Sequence, residues 1–377
     1  MLSGLQPFGG IYFILFISFA GFVLIQLLYY WVIFVRLVVY KDKTAQGDIN
    51  GVSVVICSRD GYSHLKENLP YILDQDHPDF EVVVVNNNSD DDSAFLLARL
   101  AEQHPQLKVV EIRQNLNFFS GKKFPLSIGI KSAHNDLILL TDADCRPVTR
   151  KWLGFMQQSF TGSTDIVLGY GGYKKSKGLL DKLIRYDTSH IAIQYFSYAL
   201  AGIPYMGVGR NMAYRKSLFF ENRGFISHYN ISSGDDDLFI NHVANKRNSK
   251  IKIDPESYTI SEPKKTFSSW ITQKQRHLST GRFYRWKHKI LLGAYSLSTA
   301  LFYVLFIWLL ALNYNILFVL ALFFIRFSSQ LYIFRKCMIR LNEKGLWFFV
   351  PFLEIPILLI NGSLSFTALF SKPVKWK

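Results

Sequence analysis

Residues 137–148 read LILLTDADCRPV. Five residues that suit a buried strand, Leu137 to Thr141, run straight into Asp142-Ala143-Asp144. At that spacing, where a strand stops, both carboxylates can turn toward one bound ion. Like charges so close repel, and a divalent cation relieves the repulsion. Mg²⁺ typically takes one or two protein carboxylates and fills its shell with phosphate oxygens and water. Taken alone, Asp-x-Asp also suits a solvated turn, because Asp favours turns. The surrounding pattern decides between the two.

Upstream, VSVVIC (52–57), FEVVVV (80–85) and LKVVEI (107–112) repeat the strand character of DLILLT (136–141) at intervals of about 28 residues. Each interval holds a helix-like stretch. Strands alternating with helices predict βαβ units and a mainly parallel sheet. Ligands bind such sheets at the carboxyl ends of the strands. The polar loops SRDG (58–61), NNNSDDDS (86–93), NFFSGKK (117–123) and DADC (142–145) all fall there. In that setting the two aspartates belong to a ligand edge.

The chain has 377 residues, 49% hydrophobic and 16% aromatic, with a formal charge of +15. Residues 11–35 carry no charge, and about 20 apolar residues cross a bilayer core. The run is too long for a signal peptide and no small-residue cleavage site follows it. Three further apolar stretches lie at 290–312, 314–334 and 346–370. The second carries Arg326 and Gln330. The third carries Pro351, Glu354, Pro356 and Gly362, and is expected to be bent or packed against its neighbours. Lys/Arg in the short flanks (Arg36, Lys41, Lys43, Lys287, Lys289 and FRKCMIRLNEKG, 334–345) predict a cytoplasmic middle block in a multi-pass membrane protein. The tail SKPVKWK disagrees with a fourth crossing, so 346–370 is expected to be re-entrant or interfacial. Cys57, Cys145 and Cys337 are far apart and odd in number, which predicts no disulfide framework. The expected organisation is a transmembrane anchor (1–40), a polar block (41–263), a basic interfacial segment (264–289) and a membrane region (290–377).

Seven motifs in order then resemble the family-2 glycosyltransferases of the GT-A fold, in the membrane-integrated branch that holds ceramide glucosyltransferases and the cellulose, chitin and hyaluronan synthases. They are VSVVICSRD, EVVVVNNNSDDDS, GKKFPLSIGI (121–130), TDADCRP, GRNMAYRK (209–216), SGDDDLF (233–239) and QKQRH (273–277). The resemblance covers roughly residues 50–285. It implies an α/β, Rossmann-like GT-A domain and inverting transfer from a nucleotide diphosphate sugar, with a UDP-sugar expected. The transferred group would be a hexosyl or N-acetylhexosaminyl unit. Asp144, and Asp142 through the nucleotide, would hold Mg²⁺ or Mn²⁺. Lys122 matches a lysine near the nucleotide. Asp60 matches a carboxylate that meets uracil or ribose. Asn87, with Asn86, stands where carboxylates are usual, which loosens donor identity. Within GDDDL, Asp236 is the expected general base with Asp235 beside it, and Asp237 is left open by one residue of register. Gln273 and Arg276 match Q-x-x-R, with Arg276 facing the diphosphate. His277 replaces the tryptophan that the family sets beneath the acceptor.

The stretch 264–289 has eight Lys/Arg, no Asp/Glu and five aromatics. Such a strip can bind RNA. Directly before a membrane helix it is assigned to anionic headgroups instead, so no nucleic-acid partner is expected. The apolar stretch 178–202 fits a second interfacial helix or packing on the sheet, and its His190 is read as a packed histidine, with contact to an acceptor as the alternative. The leading reading is a membrane-integrated transferase acting on a lipid or glycan-bearing acceptor at the cytoplasmic face. The alternatives are a processive synthase exporting its polymer, for which four membrane segments are few, and a non-catalytic membrane scaffold, which the intact DAD, DDD and QxxR sites argue against.

Overall fold

The structure is a computed structural model. It describes residues 6–42, 50–113 and 121–370, with side chains over 10–42, 50–113 and 121–367. Lys43, residues 117–120 of the third ligand-edge loop, and the tail 371–377 lie outside the described residues.

α1 (Gln6–Leu28), a π-helical stretch Tyr29–Phe34 and α2 (Val35–Val39) form one apolar rod. Then β1 (Val52–Ser58), α3 (Tyr62–Leu73), β2 (Phe80–Asn87), α4 (Ser93–Gln103), β3 (Leu107–Ile112), α5 (Lys123–Ser132) and β4 (Leu137–Leu140) alternate as expected. β1 pairs in parallel with both β2 and β4, Val52 standing opposite Phe80 and Leu137. All seven residues of β1 are buried. Its side chains divide between two cores, with Val52, Val54 and Ile56 on one face and Val55 and Cys57 on the other. Burial on both faces is why these strands read as continuous aliphatic runs with no polar alternation.

β5 (Cys145–Pro147), α6 (Trp152–Gln157), β6 (Ile166–Leu168), β7 (Gly171–Tyr173), α7 (Leu179–Leu200), β8 (Met212–Arg215), α8 (Lys216–Glu221), α9 (Asp237–Val243), β9 (Ser249–Ile251) and β10 (Thr259–Ser261) complete the block. The main sheet has the order β3-β2-β1-β4-β8-β6-β9, and a small sheet β5-β10-β7 lies beside it. In the main sheet only β8 runs antiparallel to its neighbours. Its register places Met212 opposite Leu140. The chain just before β8 therefore meets the chain just after β4, at the ligand edge.

α10 (Phe267–Leu278), α11 (Trp286–Ala311), α12 (Ile316–Arg340) and α13 (Val350–Phe370) end the described chain. Four helical segments are long and apolar enough to cross a bilayer: Gly10–Val39, Trp286–Ala311, Ile316–Arg340 and Leu346–Thr367. The charges noted in the last two segments meet. Arg326 donates Nη2 to Glu354 Oε1 (2.8 Å) and Nη1 to Oε2 (3.0 Å), and Gln330 donates to the same carboxylate at 2.6 Å. Charged groups at that depth are costly unless paired inside the bundle, and this pair is buried there.

α7 is buried along much of its length rather than lying on an open interface. Ile184, Ile193 and Phe196 belong to an apolar core that runs from the sheet into Tyr30, Phe34, Ile333 and Phe334 of the terminal helices. The sheet-bearing block and the long apolar helices thus share one core, which fixes the ligand edge relative to those helices. His190 packs with Tyr186, Tyr295 and Phe334. All three cysteines are free and buried.

Candidate active site

β4 ends at Leu140, and Thr141 anchors the exit by donating to the Arg210 carbonyl at 3.0 Å. The turn then closes as Cys145 N–H donates to the Asp142 carbonyl at 3.0 Å. This places oxygens of Asp142 and Asp144 and the Cys145 sulfur within 4.8 Å of one another. The Cys145 thiol is pushed well up by burial and by Asp144, so it stays protonated. What remains is a pair of hard carboxylate donors, the set that suits Mg²⁺ or Mn²⁺ bridging to phosphate.

Lys122, just before α5, donates to Asp142. Burial would raise Asp142, but Lys122, then Arg210 and Arg276, hold it below the usual carboxylate range. Burial would likewise lower Lys122, yet Asp142 and Asp235 hold it above the usual ammonium range. Next to it, the ammonium of the buried Lys123 donates to the carbonyls of His228 (2.6 Å) and Ile231 (2.7 Å). That ties α5 to the loop carrying Gly234 and the acidic run.

The three aspartates of that run have three different settings. Asp237 is buried and saturated. It accepts from Thr280 Oγ1, from Tyr284 Oη at 2.7 Å and from Leu238 N–H at 2.8 Å. Burial, then Asp236, pushes its carboxyl up to about 7. Asp236 caps α9 and is pinned by two backbone donors, Gly209 N–H and Asp237 N–H, each at 2.8 Å. Asp235 lines the cavity, beside Lys122 and Asp142. Burial, then Asp236, raises its carboxyl above the usual range.

α10 supplies the opposite wall. Gln273 donates to Tyr173 Oη at 3.2 Å. Lys274 is buried in an ion pair with Asp187 of α7 at 2.6 Å, which fixes the helix. Arg276 and His277 then face the cavity. The segment is further fastened by Thr280 and Tyr284 to α9, and by Arg285 N–H to Asn241 at 3.0 Å. Its exposed face keeps Lys264, Lys265, Arg282, Trp286 and Lys287 free of such packing.

One cavity of about 1640 Å³ gathers Lys122, Asp142, Asp144, Asp235, Asp236, Gln273, Arg276 and His277 from the expected site residues. Asp60 and Asn87 are not among its lining residues. Asp60 adopts φ 49° and accepts from Asp90 N–H at 2.8 Å, while its neighbour Arg59 lines the cavity. Asn87 is the last residue of β2, and Asn86 is committed to Glu111 and Ser89. Arg210 is the residue that motif reading passed over. It stacks on Tyr173 at 4.5 Å, and its Nη1 has no partner among the described residues. Burial would lower it, but Tyr173, then Cys145, Asp144 and Asp142, hold it above the usual guanidinium range. It stands inside GRNMAYRK, but only the pairing of β8 with β4 puts it beside the aspartates.

The family described as Glycosyl transferase family 2 matches residues 53–221, ending before the acidic run and α10. The mannosyltransferase PcManGT from Pyrobaculum calidifontis, solved in complex with GDP-Man and Mn²⁺, is 18% identical over 94% of this chain and 98% of that one, with a TM-score of 0.60. S. aureus TarS 1-349, in complex with UDP-GlcNAc, is 17% identical over 61% of this chain and 66% of that one, with a TM-score of 0.42. No curated protein matches the chain. The fold is GT-A, a mostly parallel Rossmann-like sheet with apolar helices at both ends.

Proposed function

We propose that the protein is an inverting glycosyltransferase that moves a sugar from a nucleotide diphosphate sugar to a lipid or lipid-linked acceptor at the cytoplasmic face of a membrane. The observation that carries this reading is the division of one cavity: Asp142, Asp144, Lys122, Arg210 and Arg276 form a diphosphate-type subsite, and the Asp235 carboxylate lines the same cavity beside it. A nucleotide diphosphate sugar is also the donor class in the PcManGT complex.

The chemistry follows from those settings. The acceptor oxygen attacks the anomeric carbon, the bond from that carbon to the diphosphate breaks, and its electron pair leaves on the diphosphate. Charge therefore grows on the leaving group, where three cationic side chains converge. A divalent ion held by Asp144 and Asp142 supplies further charge neutralisation there when bound. Asp235 takes the acceptor proton, because it lines the cavity beside the subsite and burial, then Asp236, raises its carboxyl toward the range useful for a base. Asp236, expected as the base, acts here as a positioning residue: its two backbone bonds hold the start of α9 against Gly209. Asp237 locks the same helix to the segment after α10.

The test is to incubate the purified chain in membranes with a panel of nucleotide sugars and to analyse the lipid extract by mass spectrometry. One lipid species gaining one or a few sugars supports the reading. A long polymer made by this chain alone supports a processive synthase. No sugar transfer to any acceptor leaves only a scaffold role.

A further inference from the structure

The cavity does not stop at the aspartates. At about 1640 Å³ it exceeds the roughly 300–1,000 Å³ of an ordinary ligand pocket. It continues past Tyr186 and His190 and then runs between α11 and α13, where Leu297, Val304 and Leu359 line it. Only these two of the apolar helices contribute. No described residue of α1, α2 or α12 lines it, because α1 and α12 pack on α11 away from the groove, while α13 packs on α10 and α7.

That arrangement separates two kinds of occupant. A polymer channel has to enclose its cargo, since sugar hydroxyls exposed to hydrocarbon would lose their hydrogen bonds. A groove walled by two helices is open along one side to the bilayer. Its lining side chains are apolar and exposed, at 60% for Leu297, 53% for Val304 and 64% for Leu359, which suits a hydrocarbon tail. Near the catalytic end the wall turns polar. Tyr186 is fully buried, lines the cavity and has a hydroxyl with no partner among the described residues. The Asn361 side-chain oxygen is in the same state. Two glycines face this space, Gly293 of α11 and Gly362 of α13. A Cβ added at either would meet nothing within 4 Å.

We propose that the acceptor is a membrane lipid whose tail slides in sideways between α11 and α13, past Gly293 and Gly362, so that its polar head passes Tyr186 and reaches Asp235. The proposal deepens the glycosyltransferase reading and rests on it. The groove, however, can be examined without turnover.

The full-length chain is placed in phosphatidylcholine nanodiscs holding either a polyisoprenyl phosphate or a diacylglycerolipid, each with a diazirine in mid-tail. Illumination should label peptides of α11 and α13 from one of the two probes, which identifies the tail type. Gly293→Leu and Gly362→Leu should each cut that labelling and raise the KM for the labelled lipid class by about tenfold or more, the effect of displacing two or so buried methylenes. Calorimetric binding of the nucleotide diphosphate reports that both variants are folded. Equal labelling of α1 and α12, labelling unchanged by both leucines, or a polymeric product would overturn the groove assignment. If labelling behaves as expected but no nucleotide sugar is consumed, the glycosyl-transfer reading falls and the lipid groove stands.

Discussion

Replacing Asp235 and Asp236 by asparagine, one at a time, separates the base from its support. The folded pKa of Asp235 lies above that of an unfolded aspartate, through burial and then Asp236. Its charged form is therefore disfavoured by folding, and any stability linked to its protonation is present at low pH and lost as pH rises. Asp235→Asn removes that penalty, so the melting temperature at pH 7.5 should stay level or rise. Catalysis should fall by a factor on the order of 10² to 10⁴, the usual share of a general base, with nucleotide-sugar binding kept. Asp236→Asn does the opposite. It weakens acceptance from Gly209 and Asp237 N–H, each charged hydrogen bond being worth roughly 1.5–3 kcal/mol. The melting temperature should drop while a measurable kcat survives.

The two variants also differ in pH dependence. With Asp235 as the base, the rate should fall on the acid side with an apparent pKa above about 3.9, the value for a free aspartate. Asp236 contributes to that elevation, so Asp236→Asn should move the acid limb to lower pH. Single-turnover rates across pH, with thermal unfolding followed by tryptophan fluorescence, provide both readouts. If Asp236→Asn abolishes chemistry while Asp235→Asn turns over near the wild-type rate, the assignment of roles is wrong.

Asp144→Ala should abolish transfer while leaving the chain folded, and excess EDTA should do the same to wild type; full activity in either case refutes the metal assignment. Arg210→Gln should weaken nucleotide diphosphate binding by about ten- to a hundredfold, the range for one or more charged hydrogen bonds, as read by calorimetry, because the unpartnered Nη1 is left for the ligand. Replacing Lys264, Lys265, Arg282 and Lys287 together by Gln should lower activity on membrane-bound acceptor, more so in anionic lipid. Each exposed basic residue near such a surface contributes roughly 1 kcal/mol. Equal loss in neutral and anionic vesicles would refute the headgroup contact.

Residues that declare themselves by local pattern were legible in the sequence. β1 to β4 are aliphatic because both of their faces are buried, and their 28-residue spacing is the length of a βα unit, so the sheet and its ligand edge could be placed without coordinates. The DAD turn was legible for the same reason. Residues that depend on a long-range register were not. Arg210 joins the aspartates through Leu140 opposite Met212, a pairing of segments about 70 residues apart that no motif spells out. The acidic run is a different case. GDDDL shows three equal carboxylates, and their roles diverge only through partners at Gly209, Thr280 and Tyr284. A sequence lists donors and acceptors but does not pair them.

The same limit explains the basic strip. Its composition pointed to a surface, and Lys264, Lys265, Arg282 and Lys287 are indeed exposed, yet Lys274 in the middle is buried against Asp187. One helix therefore serves two masters. Its inner side is held to the small sheet through Gln273 and to α7 through Lys274. Its flanks carry the charges that would meet lipid headgroups. Because α7 shares a core with Phe34 and Phe334 of the terminal apolar helices, the helix that holds Arg276 is tied to them through Lys274 and Asp187. On the proposed reading, in which one substrate stays in the membrane and the other arrives from water, the distance from acceptor to Asp235 would be set by that shared core.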